Sequence, residues 1–306
     1  MITVRAAAKV NLHLGVGAPR EDGFHPLETV YQAVGLCDDV VAYAADGWDL
    51  QVRGSDWVDL DAVPLDRRNL VARAAEVLAA HHGLRRTGHV EVVKSIPVAG
   101  GLAGGSADAA AALVALDRLW DVQTPDEDLL ALAAELGSDV PFALLGGTAL
   151  GTGRGELVEP VADDGSWWWV LVPSREGGLS TPAVYRRFDE LRPDAPATPP
   201  SAQALLTAVA TGEPLALARA LHNDLQEAAL DLRPDLAALL ARGEAEGALR
   251  GIVSGSGPTC AFLCSTADEA RAVAGALQGR DADDGADDPV TVLVATAPVA
   301  GAHVVV

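Results

Sequence analysis

The stretch that most limits how this chain can fold is IPVAGGLAGGSADAAAALVALDRLW, residues 96 to 120. Four glycines and three alanines fill the ten positions from Val98 to Ala107, directly behind Pro97. Glycine loses more conformational freedom on folding than any other residue, so a backbone this bare is costly to order. GHVEVVKSIPVA ahead of it predicts a strand, and the alanine-rich segment behind it predicts a helix over about 107–120 with Ser106 as N-cap. A helix N-terminus offers free N–H groups and about half a positive charge, and loop amides in front add to it. Strand, bare loop and helix start in that order make an anion site. Close strand–helix packing with no ligand gives the same order, but packing alone does not require two Gly-Gly pairs.

Composition narrows the class of protein. The 306 residues suit two domains of roughly 150 each, and 49% hydrophobic residues supply a core for both. A net charge of -21 argues against a nucleic-acid surface and requires any anion to be held by local donors. No apolar run approaches the ~20 residues of a spanning helix, so no membrane partner is expected. MITVRAAAKVNLHLGV lacks the basic-then-apolar pattern of a secretory signal. Cys37, Cys260 and Cys264 are an odd, sparse set that suits reduced thiols, and a cytoplasmic location is expected. Among 22 basic residues, only Lys9 and Lys94 are lysine. A compact ammonium fits where a planar guanidinium does not. The scarcity is either chance or the mark of two sites too tight for arginine.

Along the chain, ITVRAAAKVNLHLGV alternates as a strand, and GAPREDGFHPLETVYQAV reads as a loop leading into another. DDVVAYAADGWDLQVRG predicts a hairpin. RRNLVARAAEVLAAHHG predicts an amphipathic helix ended by Gly83. TPDEDLLALAAELG predicts a helix with Thr124 as N-cap, Pro125 at its first position and Gly137 as its stop. GSDVPFALLGGTALGTGRGELVEPV reads as a turn and a glycine-bounded hairpin, and WWWVLVP as a buried strand. RPDAPATPPSAQ is an expected exposed loop. LALARALHNDLQEAAL, RPDLAALLARGEAEG and ADEARAVAGALQG predict helices, and GIVSGSGPTCAFLC a strand, a glycine turn and a strand. PVTVLVATAPVAG predicts the last strand, behind an acidic, solvated RDADDGADD tip. The expected fold class is α+β in both halves, with domains at 1–160 and 161–306.

Two familiar glycine motifs do not fit. A P-loop needs G-x-x-x-x-G-K-[ST], and although Gly100 and Gly105 have the spacing, Ser106 stands in place of the lysine. No register of AGGLAGGSA gives the dinucleotide pattern G-x-G-x-x-G. PVAGGLAGGSADAA instead resembles the phosphate-binding motif of the GHMP kinases, the small-molecule kinases of galactose, homoserine and mevalonate type. AAAKVNLHLGV resembles that family's N-terminal motif, and GIVSGSGPTCAFL its C-terminal glycine-rich motif. The resemblance runs from about residue 3 to 298. Within the family, REDGFHPLETVYQ and ELGSDVPFAL point to a member whose acceptor carries a cytidine diphosphate, in the non-mevalonate isoprenoid precursor pathway. The resemblance implies a two-domain GHMP kinase fold with the active site in the cleft. It implies an ATP-binding domain at 1–160, a substrate-binding domain at 161–306, ATP and Mg2+ as cofactors, and transfer to the acceptor's 2-hydroxyl. A homoserine- or mevalonate-type kinase is the alternative, and a non-catalytic nucleotide-binding scaffold a further one. The oligomeric state, monomer or homodimer, is left open.

Phosphoryl transfer to a hydroxyl needs a phosphate cradle, a cation and a group that takes or steers the hydroxyl proton. By resemblance, Pro97, Val98, Ala99, Gly100, Gly101, Leu102, Ala103, Gly104, Gly105, Ser106 and Ala107 form the cradle. Mg2+ keeps several waters and needs few protein ligands; Ser106 is a candidate to approach it or a phosphate, and a plain N-cap role accounts for it equally well. Asp139, in GSDVP ahead of a proline that stops a helix, is the implied base, and Lys9 its partner. Asn11, two residues along the same strand face, is implied to position the substrate. His25 is implied to read the cytosine, between Phe24 and Tyr185 as stacking aromatics. Asn69 and Lys94 match positions near the adenine end, with a helix N-cap and a solvated strand end as their ordinary readings. Gly255, Ser256 and Gly257 are implied to bring a second backbone loop to the substrate. Two departures stand out. Ala99 and Ala103 replace frequent glycines, which is tolerable while φ stays negative. Asp108 replaces a frequent asparagine, and Mg2+ or a base-side amide are both open as its partner.

Overall fold

The computed structural model describes residues 1–174, 177–283 and 290–305. The first four residues of the RDADDGADD segment, 280–283, continue a helix, and its remainder lies outside the described residues. In the first half come β1 (Ile2–Val16), β2 (Leu27–Tyr43), β3 (Trp48–Gly54), α1 (Leu70–His81), β4 (Gly88–Lys94), α2 (Gly104–Trp120), α3 (Asp126–Leu136), α4 (Val140–Leu145), β5 (Thr148–Thr152) and β6 (Leu157–Val161). The second half holds β7 (Trp167–Val172), α5 (Thr181–Leu191), α6 (Gln203–Thr211), α7 (Pro214–Ala220), β8 (His222–Asn223), α8 (Gln226–Leu232), α9 (Asp235–Ala245), β9 (Arg250–Val253), β10 (Cys260–Cys264), α10 (Ala267–Asp283), β11 (Leu293–Ala297) and β12 (His303–Val304). No helix among the described residues is long and apolar enough to cross a membrane.

Two sheets organise these elements. The larger runs β12-β1-β2-β4-β3, with β5 on β2, β6 on β5 and β8 on β1; the smaller runs β11-β7-β10-β9. The second half therefore returns to the first sheet twice, through β8 and β12. β1 is buried continuously from Ala6 to Val16, so it is covered on both faces. α2 covers part of it. Ala107, Ala109, Ala110, Ala111, Ala112 and Ala115 are fully buried, and side chains this small let the helix axis approach the strands closely. In β7, Trp167 and Trp169 are buried while Trp168 is half-buried, the alternation a strand imposes.

Several local expectations are corrected. The DDVVAYAADGWDLQVRG segment is not a hairpin: β4 inserts between its strands, antiparallel to β2 and parallel to β3. α2 starts at Gly104, ahead of Ser106, and its N-cap is Ala103, which has no side chain to cap with. Thr124 does not cap α3, which Pro125 precedes. Pro141 sits in the first turn of α4 instead of ending a helix, because proline is tolerated where the N–H is unpaired anyway. The turn between β9 and β10 forms as expected.

Candidate active site

Lys9 and Asn11 lie on β1 between two register irregularities, at Ala7/Ala8 and at Asn11/His13. Bulges of this kind re-aim side chains and recur beside active sites. Here the two polar side chains reach a cavity of about 710 Å³ between the halves of the chain. The cavity gathers Lys9, Asn11, Phe24, His25, Asp139, Tyr185, Gly255, Ser256 and Gly257, along with Ala99, Gly100, Gly101 and Ala103 to Ser106. Pro97, Val98, Leu102, Ala107, Asn69 and Lys94 do not line it.

The glycine loop is held from below by its counterpart in the second half. Gly101 O accepts hydrogen bonds from Lys9 Nζ at 2.9 Å and Ser254 Oγ at 3.0 Å, and the Thr259 N–H donates to Gly100 O at 3.2 Å. A Cβ on Gly101 would stand 2.3 Å from Ser254 O. Alternate residues Ala99, Gly101 and Ala103 take φ of 53°, 79° and 58°. Such alternation turns successive amides toward one concave side, a nest for anions. The expectation of negative φ at Ala99 and Ala103 is thereby corrected: each alanine costs about 1 kcal/mol more than glycine would in this region. With Ala103 at the N-cap, no side chain competes for the first amides of α2.

Lys9 is buried, and its ammonium donates to Asn11 Oδ1 at 2.6 Å and stands 4.0 Å from Asp139 Oδ2. Burial pulls the Lys9 pKa down, and the Asp139 carboxylate partly opposes that shift. Asn11 Nδ2 donates to Thr29 Oγ1 at 2.9 Å, and that hydroxyl donates to His13 O at 2.7 Å, which fixes the amide with its oxygen toward the lysine. A Cβ on Gly255 would lie 3.1 Å from Asn11 Oδ1 and 3.2 Å from Lys9 Nζ, so the second loop closes over this pair.

Asp139 sits just ahead of α4 and makes no capping bond with its side chain. Its Oδ1 accepts a hydrogen bond from Tyr31 Oη at 3.2 Å. Sequence reasoning missed Tyr31. It is opposite Asn11 in the β1–β2 register, buried, and stacked on Phe142 with centroids 4.8 Å apart. Burial and the Asp139 carboxylate raise its hydroxyl pKa well above the usual tyrosine range, so it remains a donor. Two glycines make its slot: a Cβ on Gly151 would meet Tyr31 Cε2 at 2.6 Å, and one on Gly155 would meet Oη at 2.2 Å. A usable signal existed, since the chain has only three tyrosines and two of them, Tyr31 and Tyr185, face this cavity.

At the other end, His25 is buried with Tyr185 against its ring, centroids 4.8 Å apart, and Nε2 2.8 Å from Asp189 Oδ1. Phe24 is half exposed, with the Arg154 guanidinium 5.1 Å from its ring centroid. Arg154, Arg186 and Asp189 all line the cavity and were not anticipated. Arginines were too common in this chain to single out any one of them.

The two residues expected at the adenine end both have structural partners. Asn69 caps α1, accepting from the Val71 N–H at 2.8 Å and donating to Pro64 O at 2.7 Å. Its neighbour Leu70 reaches the cavity. Lys94 is not a solvated strand end. It is buried, 2.5 Å from Asp38 Oδ2 and 2.7 Å from Asp108 Oδ2. Asp38 Oδ1 also accepts from the N–H groups of Ser95 and Ile96. Asp108 thus faces a lysine beneath the loop. Its Oδ1 is buried without a partner among the described residues, and burial raises its pKa well above the carboxylate range despite Lys94. Lys94 Nζ thus donates to both Asp38 and Asp108, and burial works against ionisation of Asp108. Both lysines of the chain are therefore enclosed.

Among the described residues no cluster of three or more His, Cys, Asp or Glu side chains could hold a metal ion. Ser106 and Asp139 both line the cavity beside the loop, a sparse oxygen set of the kind that suits Mg2+ shared with phosphates.

Comparison with known proteins gives the family and the fold. The GHMP kinases N terminal domain model matches residues 69–147, and the GHMP kinases C terminal model matches residues 205–282. A 4-diphosphocytidyl-2-C-methyl-D-erythritol kinase of Nocardioides sp. is 68% identical over 302 residues, 99% of each chain. One from Salinispora arenicola is 52% identical over 303 residues, covering 98% of this chain and 93% of the relative. A crystal structure of 4-(cytidine 5'-diphospho)-2C-methyl-D-erythritol kinase superposes with a TM-score of 0.74 at 33% identity, over 97% of this chain and 99% of that one. A homoserine kinase from Cytophaga hutchinsonii gives a TM-score of 0.75 at 18% identity, over 99% and 97%, which shows the shared fold alone.

Proposed function

Because the chain belongs to the GHMP kinases, we propose that it uses ATP to phosphorylate the 2-hydroxyl of 4-diphosphocytidyl-2-C-methyl-D-erythritol, a step toward isoprenoid precursors outside the mevalonate route. The observation that carries the reaction is the Lys9–Asp139 pair, 4.0 Å apart beside the glycine loop in one cavity. The acceptor oxygen attacks the terminal phosphorus, the bond to the bridging oxygen breaks, and ADP leaves. Asp139 accepts the hydroxyl proton, and Tyr31 keeps one carboxylate oxygen engaged so that the other is directed to the substrate. The Lys9 ammonium offsets charge on the group in transfer, and the amides of the loop and of the first turn of α2 hold the remaining phosphates. Ser106 would hold Mg2+ beside the loop, where the ion would supply further neutralisation of the phosphate oxygens. In this reading residues 1–160 supply the ATP side, and residues 161–306 complete the acceptor site through α5 and the Gly255–Gly257 loop, in a cytoplasmic setting.

The cytidine end is read from His25, Phe24 and Tyr185, which share one end of the cavity. The deciding experiment measures ATP consumption with the cytidylyl substrate against homoserine and mevalonate. Turnover is expected with the first alone, and turnover of homoserine or mevalonate at a comparable rate removes the reading. Asp139→Asn is expected to bind ATP and lose turnover by ~10²-fold or more, the scale of a positioned general base. Retained turnover would remove Asp139 from that role.

A further inference from the structure

One face of α5 grips the imidazole of His25 from three directions. Tyr185 lies against the ring at 4.8 Å with 38° between planes. Phe188 meets its edge at 6.2 Å and 78°. Asp189 sets Oδ1 2.8 Å from Nε2. The spacing i, i+3, i+4 places all three side chains on the same face of the helix. Among the described residues the other nitrogen, Nδ1, has no protein partner, and His25 lines the cavity.

A carboxylate can only accept, so the hydrogen between these atoms belongs to Nε2. In a neutral imidazole Nδ1 is then left with its lone pair, because the hydrogen bond at one ring nitrogen sets the state of the other. We propose that Asp189 is a positioning residue that holds His25 in the Nε2–H tautomer. The site thereby selects a pyrimidine bearing an exocyclic amino group over one bearing a carbonyl at that position. The proposal rests on the cytidine reading above and names the group that separates cytosine from uracil. Cytosine presents an N4 amino donor that the Nδ1 lone pair accepts. Uracil presents O4 there, which sets lone pair against lone pair. A site built to hydrogen-bond a donor rejects an analogue without it far more strongly than an apolar pocket can.

The test titrates CDP and UDP into the full-length protein, with the ATP site filled by a non-hydrolysable analogue. The same is done with Asp189→Ala and Asp189→Glu. The His25 tautomer is read in parallel by two-bond 1H–15N correlation, assigned against His25→Gln. Wild type is expected to prefer CDP by at least about tenfold, the scale of one hydrogen bond to a buried partner. Asp189→Ala should bring the two affinities within about threefold, leave affinity for the ATP analogue unchanged, and move Nδ1 away from its unprotonated signature. Asp189→Glu should restore part of the preference. If wild type prefers CDP and Asp189→Ala keeps the same ratio, Asp189 does not set selectivity. A wild-type His25 carrying hydrogen on Nδ1 overturns the tautomer. If wild type does not distinguish CDP from UDP, the cytidine reading itself fails and the proposal falls with it. The Asp189 side chain is 37% exposed, so its truncation leaves the fold intact.

Discussion

Replacing Gly101 with alanine adds one methyl group at the seam between the two glycine loops. The new Cβ would stand 2.3 Å from Ser254 O, a backbone atom that cannot rotate away. Reaching ordinary contact requires the loops to part by about 1 Å. That movement strains the hydrogen bonds to Gly101 O from Lys9 Nζ and Ser254 Oγ, which are 2.9 and 3.0 Å long. Losing both costs about 2 kcal/mol, at about 1 kcal/mol each. The φ of 79° adds a steric cost for any side chain, roughly 1–2 kcal/mol. The sum is ~3–4 kcal/mol, which for a chain of this size lowers Tm by roughly 5–10 °C. Gly105 is the control. A Cβ there meets only Leu70 Cδ1, at 3.7 Å, inside α2, and alanine raises helix propensity by up to ~1 kcal/mol. Gly105→Ala is therefore expected to melt at or above the wild-type temperature. Gly100→Ala and Gly104→Ala should fall between, since their nearest contacts are the Thr259 and Ile96 side chains at 2.9 and 3.0 Å. Differential scanning calorimetry with parallel kcat and KM measurements checks the series. Equal melting temperatures for Gly101→Ala and Gly105→Ala would refute the reasoning, because it depends on where each Cβ points.

Tyr31→Phe removes a hydrogen bond to a charged group, and at 3.2 Å to a partly exposed carboxylate it is taken at the low end, about 1.5 kcal/mol, or a kcat lowered about tenfold. A kcat within twofold of wild type, in stopped-flow or steady-state assays, would show that Tyr31 does not position Asp139. Lys9→Met should lower kcat by ~10²–10³-fold and also change the pH profile of stability. A lowered folded pKa means that the unfolded chain binds more protons below the ordinary lysine value, so wild-type stability rises with pH toward ~10.4. The variant should lack this rise in alkaline urea denaturation, and the same slope in both proteins would contradict the buried, shifted ammonium. Asp108→Asn is predicted to gain stability as pH rises above ~4, by at most about 1.4 kcal/mol per pH unit, with no gain below it. The sign follows from a folded pKa raised above the unfolded one, whose stabilising contribution is full at low pH and is lost as pH rises. A variant that matches wild type from pH 4 to 8 would show that Asp108 is not protonated in the fold.

The sequence by itself determined the parts whose chemistry is local. A bare loop between a strand and a helix reads as an anion site because glycine and alanine expose backbone amides. The alternation of β1 placed Lys9 and Asn11 on one face, and the motif order identified the family. What stayed illegible depends on contacts between residues far apart in the chain. The four glycines of the loop look alike in sequence, yet Gly101 alone meets the backbone of Ser254, 153 residues away. Asn69 and Lys94 have the same residue types whether they serve a nucleotide or the fold, and only packing showed Asn69 as a cap and Lys94 between Asp38 and Asp108. DDVVAYAADGWDLQVRG has the pattern of a hairpin, and nothing in its own residues reveals that β4 intervenes. Tyr31 and Asp189 act through partners 108 and 164 positions away. Periodicity reports which side of an element is buried. Which distant group lies against that side is set by tertiary structure, because hydrogen bonds and close contacts act over a few ångströms of space and not along the chain.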